Sequence, residues 1–189
     1  MKRFLREKPE NVLTAGGIGI MPTDTLYGLV GSAFSKKAVA RIFKIKKRNP
    51  KKPLIVLIGS TADLRRFCIR IDKKTGNILS RFWPGNVSVI LSCPHRRFAY
   101  LHRGTKTLAF RLPGKKSLRA LLAKTGPLVA PSANPEGLPP ATTVKEARAY
   151  FGGNIDFYIS AGKRVASKPS TLVSVRDGNI VMVRQGNGA

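Results

Sequence analysis

The stretch KIKKRNPKKPLIVLI concentrates cations where a helix is predicted to give way to a strand. Val39, Ile42 and Phe43 fall on one stripe of that helix, at the spacings i, i+3 and i+4. The next position on the stripe is Lys46, so a lysine stands where the pattern calls for an apolar residue. The pattern therefore singles out Lys46 as a candidate functional cation.

A second cation is expected beside it. A proline two positions after Arg48 disfavours further helix, so the helix should end near Lys47 and bring Arg48 close to Lys46. Two cations at a helix end can be a solvated terminus that complements the helix dipole. Together with Lys51 and Lys52 before a buried strand, they instead favour a phosphate-binding site.

Two further segments offer hydroxyl and amide groups. In GIMPTDTLYGLVG, Thr23, Thr25 and Tyr27 follow an apolar run, and a threonine there could simply cap a following short helix. In PSANPEG, Ser132 and Asn134 share one face of an extended tripeptide, for which a local side-chain turn is the alternative. Both segments are candidate binding sites for a polar ligand.

One strand carries an arginine on its less apolar face. In TKTLAFRLPG the alternation places Leu108, Phe110 and Leu112 together, with Thr107, Ala109 and Arg111 on the opposite face. Arg111 is therefore expected to point away from the core. An arginine on a solvent-facing strand is the common alternative to a ligand contact.

Helical and strand patterns alternate irregularly along the chain. Helices are predicted at 2–14, 36–47, 62–67, 73–82, 117–124 and 144–150, and strands at 18–21, 54–58, 87–91, 107–112, 127–130, 157–160, 172–176 and 180–184. The last two strands are predicted to form a hairpin around Asp177 and Gly178. A terminal hairpin and few regular β-α units favour a mixed sheet over a doubly wound parallel one.

Composition limits the possible classes. The 189 residues, 42% of them hydrophobic, fit one domain spanning 1–189, with no membrane span and no signal peptide. Cys68 and Cys93 lack a metal-binding or disulfide pattern, so a reducing cytoplasm is the expected location. The net charge of +26 favours an anionic ligand or an RNA partner, although such charge can also serve solubility alone.

Six segments in order resemble one family. They are PTDTLYGL, KKRNPKKPLIVLI, RFWPGNVSVIL, AFRLP, PSANPEG, and KPSTLV with RQG, and they extend from about residue 20 to residue 186. They resemble the YrdC/TsaC family of L-threonylcarbamoyladenylate synthases, in its short form without an extra C-terminal domain. The resemblance implies an α/β (α+β) fold with a twisted, mixed, largely antiparallel sheet flanked by helices and a concave basic surface.

The resemblance also implies an activity and a site. The activity is condensation of L-threonine, bicarbonate or CO₂, and ATP to threonylcarbamoyl-AMP and pyrophosphate, which a separate transferase complex uses for tRNA threonylcarbamoyladenosine modification. Magnesium would arrive on the ATP phosphates, without dedicated protein ligands. The implied catalytic residues are Lys46 and Arg48; the ATP contacts are Lys46, Arg48, Lys52, Thr107, Ser132, Asn134 and Arg184; the threonine contacts are Thr25, Arg111 and Ser170.

The chain departs from the family pattern at four positions. Asn49 stands where many members have proline, and Lys52 stands where many have asparagine. Glu136 stands where a serine is common. Leu57 stands where some members have a threonine-contacting histidine, so that contact is missing here.

Two other functions are considered. A non-catalytic protein that binds tRNA, ribosomal RNA or other double-stranded RNA would explain the charge, but it does not predict Thr25, Ser132 and Asn134 in company with Lys46. A P-loop kinase is excluded because LPGKKS has Ala109 where that motif needs its first glycine.

Overall fold

The computed structural model describes residues 7–163, 168–176 and 179–186. Its α-helices are α1 (Pro9–Thr14), α2 (Lys36–Lys46), α3 (Lys73–Phe82), α4 (Ala99–His102), α5 (Lys116–Thr125) and α6 (Val144–Phe151). Its strands are β1 (Ile18–Pro22), β2 (Tyr27–Ser32), β3 (Ile55–Leu57), β4 (Val87–Ser92), β5 (Thr107–Arg111), β6 (Leu128–Val129), β7 (Phe157–Tyr158), β8 (Thr171–Arg176) and β9 (Asn179–Arg184). The predicted turn residues Asp177 and Gly178, and residues 2–6 of the first predicted helix, lie outside the described residues.

These nine strands form one sheet in the order β7-β1-β2-β6-β3-β5-β4-β8-β9. The pairs β7 with β1, β3 with β5, and β4 with β8 are parallel. The other neighbouring pairs are antiparallel. The predicted mixed, largely antiparallel sheet with flanking helices is therefore confirmed, as is the hairpin pairing of the last two strands.

The sheet is covered on both faces. One face holds the larger core, which includes Val56, Leu108 and Phe110. The opposite face packs Leu57 and Val30 against a smaller cluster that includes Leu122 of α5. Alternation along β3 and β5 thus sends successive side chains to opposite layers, as the pattern of β5 predicts.

Helix α2 begins and ends at clear local signals. The Ser35 hydroxyl caps its start by accepting a hydrogen bond from the Ala38 N–H. It ends at Lys46, and the following residue Lys47 caps it in the left-handed conformation with φ of 49°. That turn reverses the chain immediately before Arg48, so the predicted helix end is confirmed.

The alternative explanation of the hydroxyl-rich segment, a threonine that caps a following short helix, does not hold. Strand β2 follows instead, and it pairs with β1 in a hairpin. Its sequence YGLVGS gives only a weak strand signal, because two of its six residues are glycine, which has low strand propensity. Gly31 favours close packing, because a Cβ there would lie a tight 3.0 Å from Ile42 Cδ1 on α2.

Two smaller elements also differ from expectation. The predicted helix at 62–67 is present as the 3₁₀ helix Thr61–Phe67, whereas the short helix α4 was not predicted. No helix within the described ranges combines the length and apolarity that a bilayer crossing demands.

Candidate functional site

A cavity opens where the turn of the β1–β2 hairpin meets the end of β5 and the segment that follows β6. Among its lining residues are Tyr27, Gly28, Ile55 and Pro131. It also gathers six of the predicted site residues, which come from widely separated parts of the chain. These are Thr25, Arg48, Arg111, Ser132, Ser170 and Arg184.

The hairpin turn is held by its own hydroxyl groups. The Thr23 N–H donates to the Leu26 carbonyl at 3.0 Å, and the Thr23 hydroxyl donates to the same carbonyl at 2.7 Å. The Thr23 and Thr25 hydroxyl oxygens lie 3.3 Å apart. The threonines therefore shape a tight turn between two strands, and they also place Thr25 at the cavity.

A buried ion pair adjoins this turn. Arg111 Nη2 lies 3.0 Å from Asp24 Oδ1, with side-chain exposures of only 5% and 9%. Arg111 Nη1 donates to Thr25 Oγ1 at 3.3 Å, and the Gly114 N–H donates to Asp24 Oδ2 at 3.1 Å. Arg111 does leave the face of Leu108 and Phe110, but it enters this polar group instead of bulk solvent.

Asp24 was not among the predicted site residues. The available signal was a carboxylate between two threonines in PTDT, but its partner Arg111 is far away in sequence. Burial lowers the pKa of Arg111 and the charge on Asp24 raises it, so the guanidinium stays protonated at neutral pH. Among the residues that the structure describes, no acceptor pairs with the buried Arg111 Nε–H.

Lys46 is buried, with 2% exposure, and its ammonium group contacts two carbonyls. Nζ donates to Ser132 O at 2.5 Å and also to Asn134 O. The Glu136 N–H donates back to Lys46 O at 2.7 Å. Lys46 therefore fastens the segment 132–136 to the end of α2, and it does not itself line the cavity.

The environment of Lys46 strongly disfavours its charge. Burial is the main cause and the nearby Arg48 guanidinium adds to it, whereas Glu136 opposes them. Together they lower the pKa of Lys46 from 10.5 to about 7. A neutral amine keeps two N–H donors, which is enough for its two carbonyl partners.

Arg48 and Arg184 supply positive charge to the cavity. Arg48 folds back along its own segment, with Nε donating to Lys52 O at 3.1 Å and Nη2 to Pro53 O at 2.8 Å. Its pKa is lowered first by burial, and Arg184 contributes to that lowering. The two guanidinium groups are therefore close enough to repel each other, as expected at an anion site.

The opposite side of the cavity comes from the β8–β9 hairpin. The Ser170 and Ser88 hydroxyl oxygens lie 2.9 Å apart, and both residues are buried. Arg184 Nη2 donates to Ser170 O at 2.9 Å. Ser170 is positioned by the pairing of β4 with β8, which begins at the next residue. Strand β9 then runs back along β8 and brings Arg184 next to Ser170.

Four predicted residues do not line the cavity. Lys46 and Asn134 lie behind it, where Asn134 Nδ2 donates to the carbonyls of Pro135 at 2.9 Å and Leu138 at 2.6 Å. Lys52 forms an ion pair with Glu136 at 2.6 Å. Thr107 begins β5, about 13 Å along the strand from Arg111.

Leu57 explains how the chain accommodates one departure from the family pattern. It pairs in register with Arg111 on the adjacent parallel strand and is fully buried. Its side chain belongs to the cluster that includes Leu118 and Leu122 of α5. An apolar residue at this position therefore extends the core up to the buried arginine.

Comparisons with known proteins agree on one family. The Sua5/YciO/YrdC family model, described as telomere recombination, matches residues 11–186. The chain is 30% identical over 175 residues to a putative threonylcarbamoyl-AMP synthase of Mycobacterium tuberculosis (strain CDC 1551 / Oshkosh), with 92% of this chain and 80% of the relative covered. It is 33% identical over 167 residues to the threonylcarbamoyl-AMP synthase of Bacillus subtilis (strain 168), with 87% and 48% covered.

A solved structure shares the fold. The crystal structure of P. abyssi Sua5 complexed with L-threonine superposes with a TM-score of 0.82 at 30% identity. The match covers 94% of this chain and 52% of that protein, so this chain spans about half the length of that relative. The family match, the relatives and the shared fold lead to one conclusion: the chain belongs to the Sua5/YciO/YrdC family.

Proposed function

We propose that this chain is an L-threonylcarbamoyladenylate synthase, a nucleotidyltransferase that forms threonylcarbamoyl-AMP and pyrophosphate from L-threonine, bicarbonate or CO₂, and ATP. The observation that carries the proposal is the cavity in which Arg111, Asp24 and Thr25 adjoin the cations Arg48 and Arg184. Relatives that carry this activity in their names, and a Sua5 protein complexed with L-threonine, support the same assignment.

The two halves of the cavity suit the two larger substrates. The guanidinium group of Arg111, which lines the cavity, suits the carboxylate of threonine, and the Thr25 and Ser170 hydroxyls suit its polar groups. Arg48 and Arg184 suit the phosphates of ATP, and Ser132 offers a further hydroxyl beside them. Magnesium enters bound to ATP as part of the substrate.

The reaction then needs positioning and charge stabilisation more than a protein nucleophile. The threonine amine adds to CO₂ to give a carbamate and releases a proton. A carbamate oxygen attacks the α-phosphorus of ATP, and the bond to the β-phosphate oxygen breaks, with its electron pair leaving on pyrophosphate. Arg48 and Arg184 stabilise the charge that develops on the phosphates, and Lys46 holds the segment that carries Ser132.

A pyrophosphate-release assay tests this function. With ATP present, release should require both L-threonine and bicarbonate, and the adenylate product should carry the threonine carbon skeleton. Serine at equal concentration serves as the matched control substrate. Release that does not depend on threonine, or none at all from folded protein, would overturn the proposal.

The net charge of +26 favours a second property, binding of tRNA or other RNA. If the protein neutralises several phosphates, its affinity should fall by orders of magnitude between about 50 and about 200 mM salt. A filter-binding series with tRNA measures this slope. A flat series would remove RNA as a partner, and tight salt-dependent binding without pyrophosphate release would favour the non-catalytic RNA-binding alternative.

The proposed activity also suggests a cellular setting. Its product is an activated intermediate for tRNA threonylcarbamoyladenosine, so we place the chain in the cytoplasm beside a separate threonylcarbamoyl transferase complex. The organisation as one domain over 1–189 stays a prediction.

A further inference from the structure

Three of the departures from the family pattern meet at one point of the structure. Glu136 Oε1 lies 2.6 Å from Lys52 Nζ. Glu136 Oε2 accepts a hydrogen bond from the Asn49 N–H. A carboxylate, a lysine and a backbone N–H thus occur together at three of the positions where the sequence departs from the pattern of the family it resembles.

This contact joins two segments of the chain that lie beside the cations Lys46 and Arg48. Asn49 and Lys52 follow α2, whereas Glu136 ends the segment 132–136 that Lys46 fastens to α2. The backbone of Glu136 is already fixed by the hydrogen bond from its N–H to Lys46 O. Its side chain is therefore not required to hold its own segment in place.

The carboxylate also acts on the cation that lines the cavity. Glu136 raises the pKa of both Lys46 and Arg48, against the effect of their burial. Its own pKa is lowered by the hydrogen bonds from Lys52 and Asn49, so it is ionised at neutral pH. Within the described ranges, Glu136 is the one carboxylate that forms an ion pair with any of Lys46, Arg48 and Lys52.

We propose that Glu136 is an anion built into the phosphate subsite, the part of the cavity lined by Arg48 and Arg184. While the subsite is empty, Glu136 pairs with Lys52 and partly neutralises the charge of Arg48. When a nucleotide binds, the Glu136 carboxylate repels its phosphates. This inference rests on the proposed function for the identity of the ligand. It makes Glu136 a residue that sets the affinity for polyphosphates and favours release of pyrophosphate.

The alternative is a purely structural role for Glu136, and it predicts the opposite change in phosphate affinity when the charge of Glu136 is removed. If Glu136 only ties the two segments together, removing its charge loosens the site and weakens binding. If it competes with the ligand, removing its charge strengthens binding, because an anion near bound phosphate raises the free energy of the complex. The effect should grow with the charge of the ligand and shrink as salt screens it.

The test is calorimetric titration of the apoprotein with pyrophosphate, ATP and AMP, which needs no turnover. We expect Glu136→Gln to lower the Kd for pyrophosphate and ATP by about threefold to tenfold and to change the Kd for AMP less. The gain should diminish between about 50 and about 300 mM salt. Glu136→Ser also removes the charge and should change these Kd values in the same direction.

The chain offers a matched control. Glu10 forms an ion pair with Lys124 at 3.6 Å, and this pair is as exposed as the Lys52 and Glu136 pair, at 67% and 25% against 59% and 26%. Neither Glu10 nor Lys124 lines the cavity. Glu10→Gln makes the same change in net charge and should leave all three Kd values unchanged.

The outcomes separate this inference from the proposed function. Weaker or unchanged pyrophosphate binding by folded Glu136→Gln, or equal tightening by Glu10→Gln, would overturn the role of Glu136 even if the wild type makes threonylcarbamoyl-AMP. Tightening confined to the Glu136 variants would support it even if the pyrophosphate-release assay failed and a different polyphosphate were the substrate.

Discussion

Arg111→Ala is expected to reduce threonine-dependent pyrophosphate release by at least about 100-fold and to lower the free energy of unfolding by about 3–5 kcal/mol. The activity falls because the variant loses the charge-assisted contact proposed for the threonine carboxylate. The stability falls because Asp24, with 9% side-chain exposure, is left as an uncompensated buried charge. Steady-state kinetics and urea unfolding measure the two effects separately, and the KM for threonine should rise more than the KM for ATP.

Two further variants distinguish a ligand contact from a structural ion pair. The double variant Asp24→Asn with Arg111→Met removes both charges, so it should regain much of the lost stability but none of the activity. Arg41→Ala breaks another arginine–aspartate pair, to Asp156 at 2.6 Å, and should leave the KM for threonine unchanged. Recovery of activity in the double variant would show that Arg111 does not contact the substrate.

Lys46→Met is expected to reduce pyrophosphate release at least about tenfold and to destabilise the protein by about 2 kcal/mol at pH 9. Methionine matches the apolar stripe of α2, but it cannot donate to the carbonyls of Ser132 and Asn134. Leaving a buried acceptor without a donor costs about 1–3 kcal/mol. The segment that carries Ser132 should loosen at the same time, which lowers activity.

The stability difference between wild type and Lys46→Met should depend on pH in a defined direction. The pKa of Lys46 is about 7 in the folded protein, against an ordinary 10.5. Between these values the unfolded chain binds a proton that the folded protein does not, so this group makes wild-type stability rise with pH. The free energy of unfolding of the wild type should therefore increase relative to that of the variant from pH 6 to pH 9.

Urea unfolding at pH 6, 7.5 and 9 measures this trend. Lys44→Met makes the same chemical change on the exposed side of α2 and should show no such dependence. A constant difference between wild type and Lys46→Met across this range would contradict a depressed pKa for Lys46.

The sequence predicted the parts of the fold that follow a clean periodicity. The stripe Val39, Ile42, Phe43 located α2, and the alternation around Phe110 located β5 with Arg111 on the opposite face. Strand β2 was missed because Gly28 and Gly31 weaken its pattern. The reason for Gly31 lies in the packing of α2 onto β2, which only the three-dimensional structure shows.

The site was predictable to the level of residue types but not of pairings. Local pattern singled out Lys46, yet its partners Ser132 and Asn134 are 86 and 88 residues away. The same holds for Arg111 and Asp24, and for Lys52 and Glu136. Such long-range contacts are set by the order of strands in the sheet, which periodicity along the chain does not reveal.

The position of the last hairpin has a consequence for synthesis on the ribosome. Thr25, Arg48, Arg111 and Ser132 all precede β8 in the chain, so they are synthesised while strand β4 still lacks its neighbour β8. Ser170 and Arg184 reach the cavity only when β8 and β9 add to that edge. A nascent chain that has not yet reached β9 therefore carries only part of the cavity lining, without Arg184.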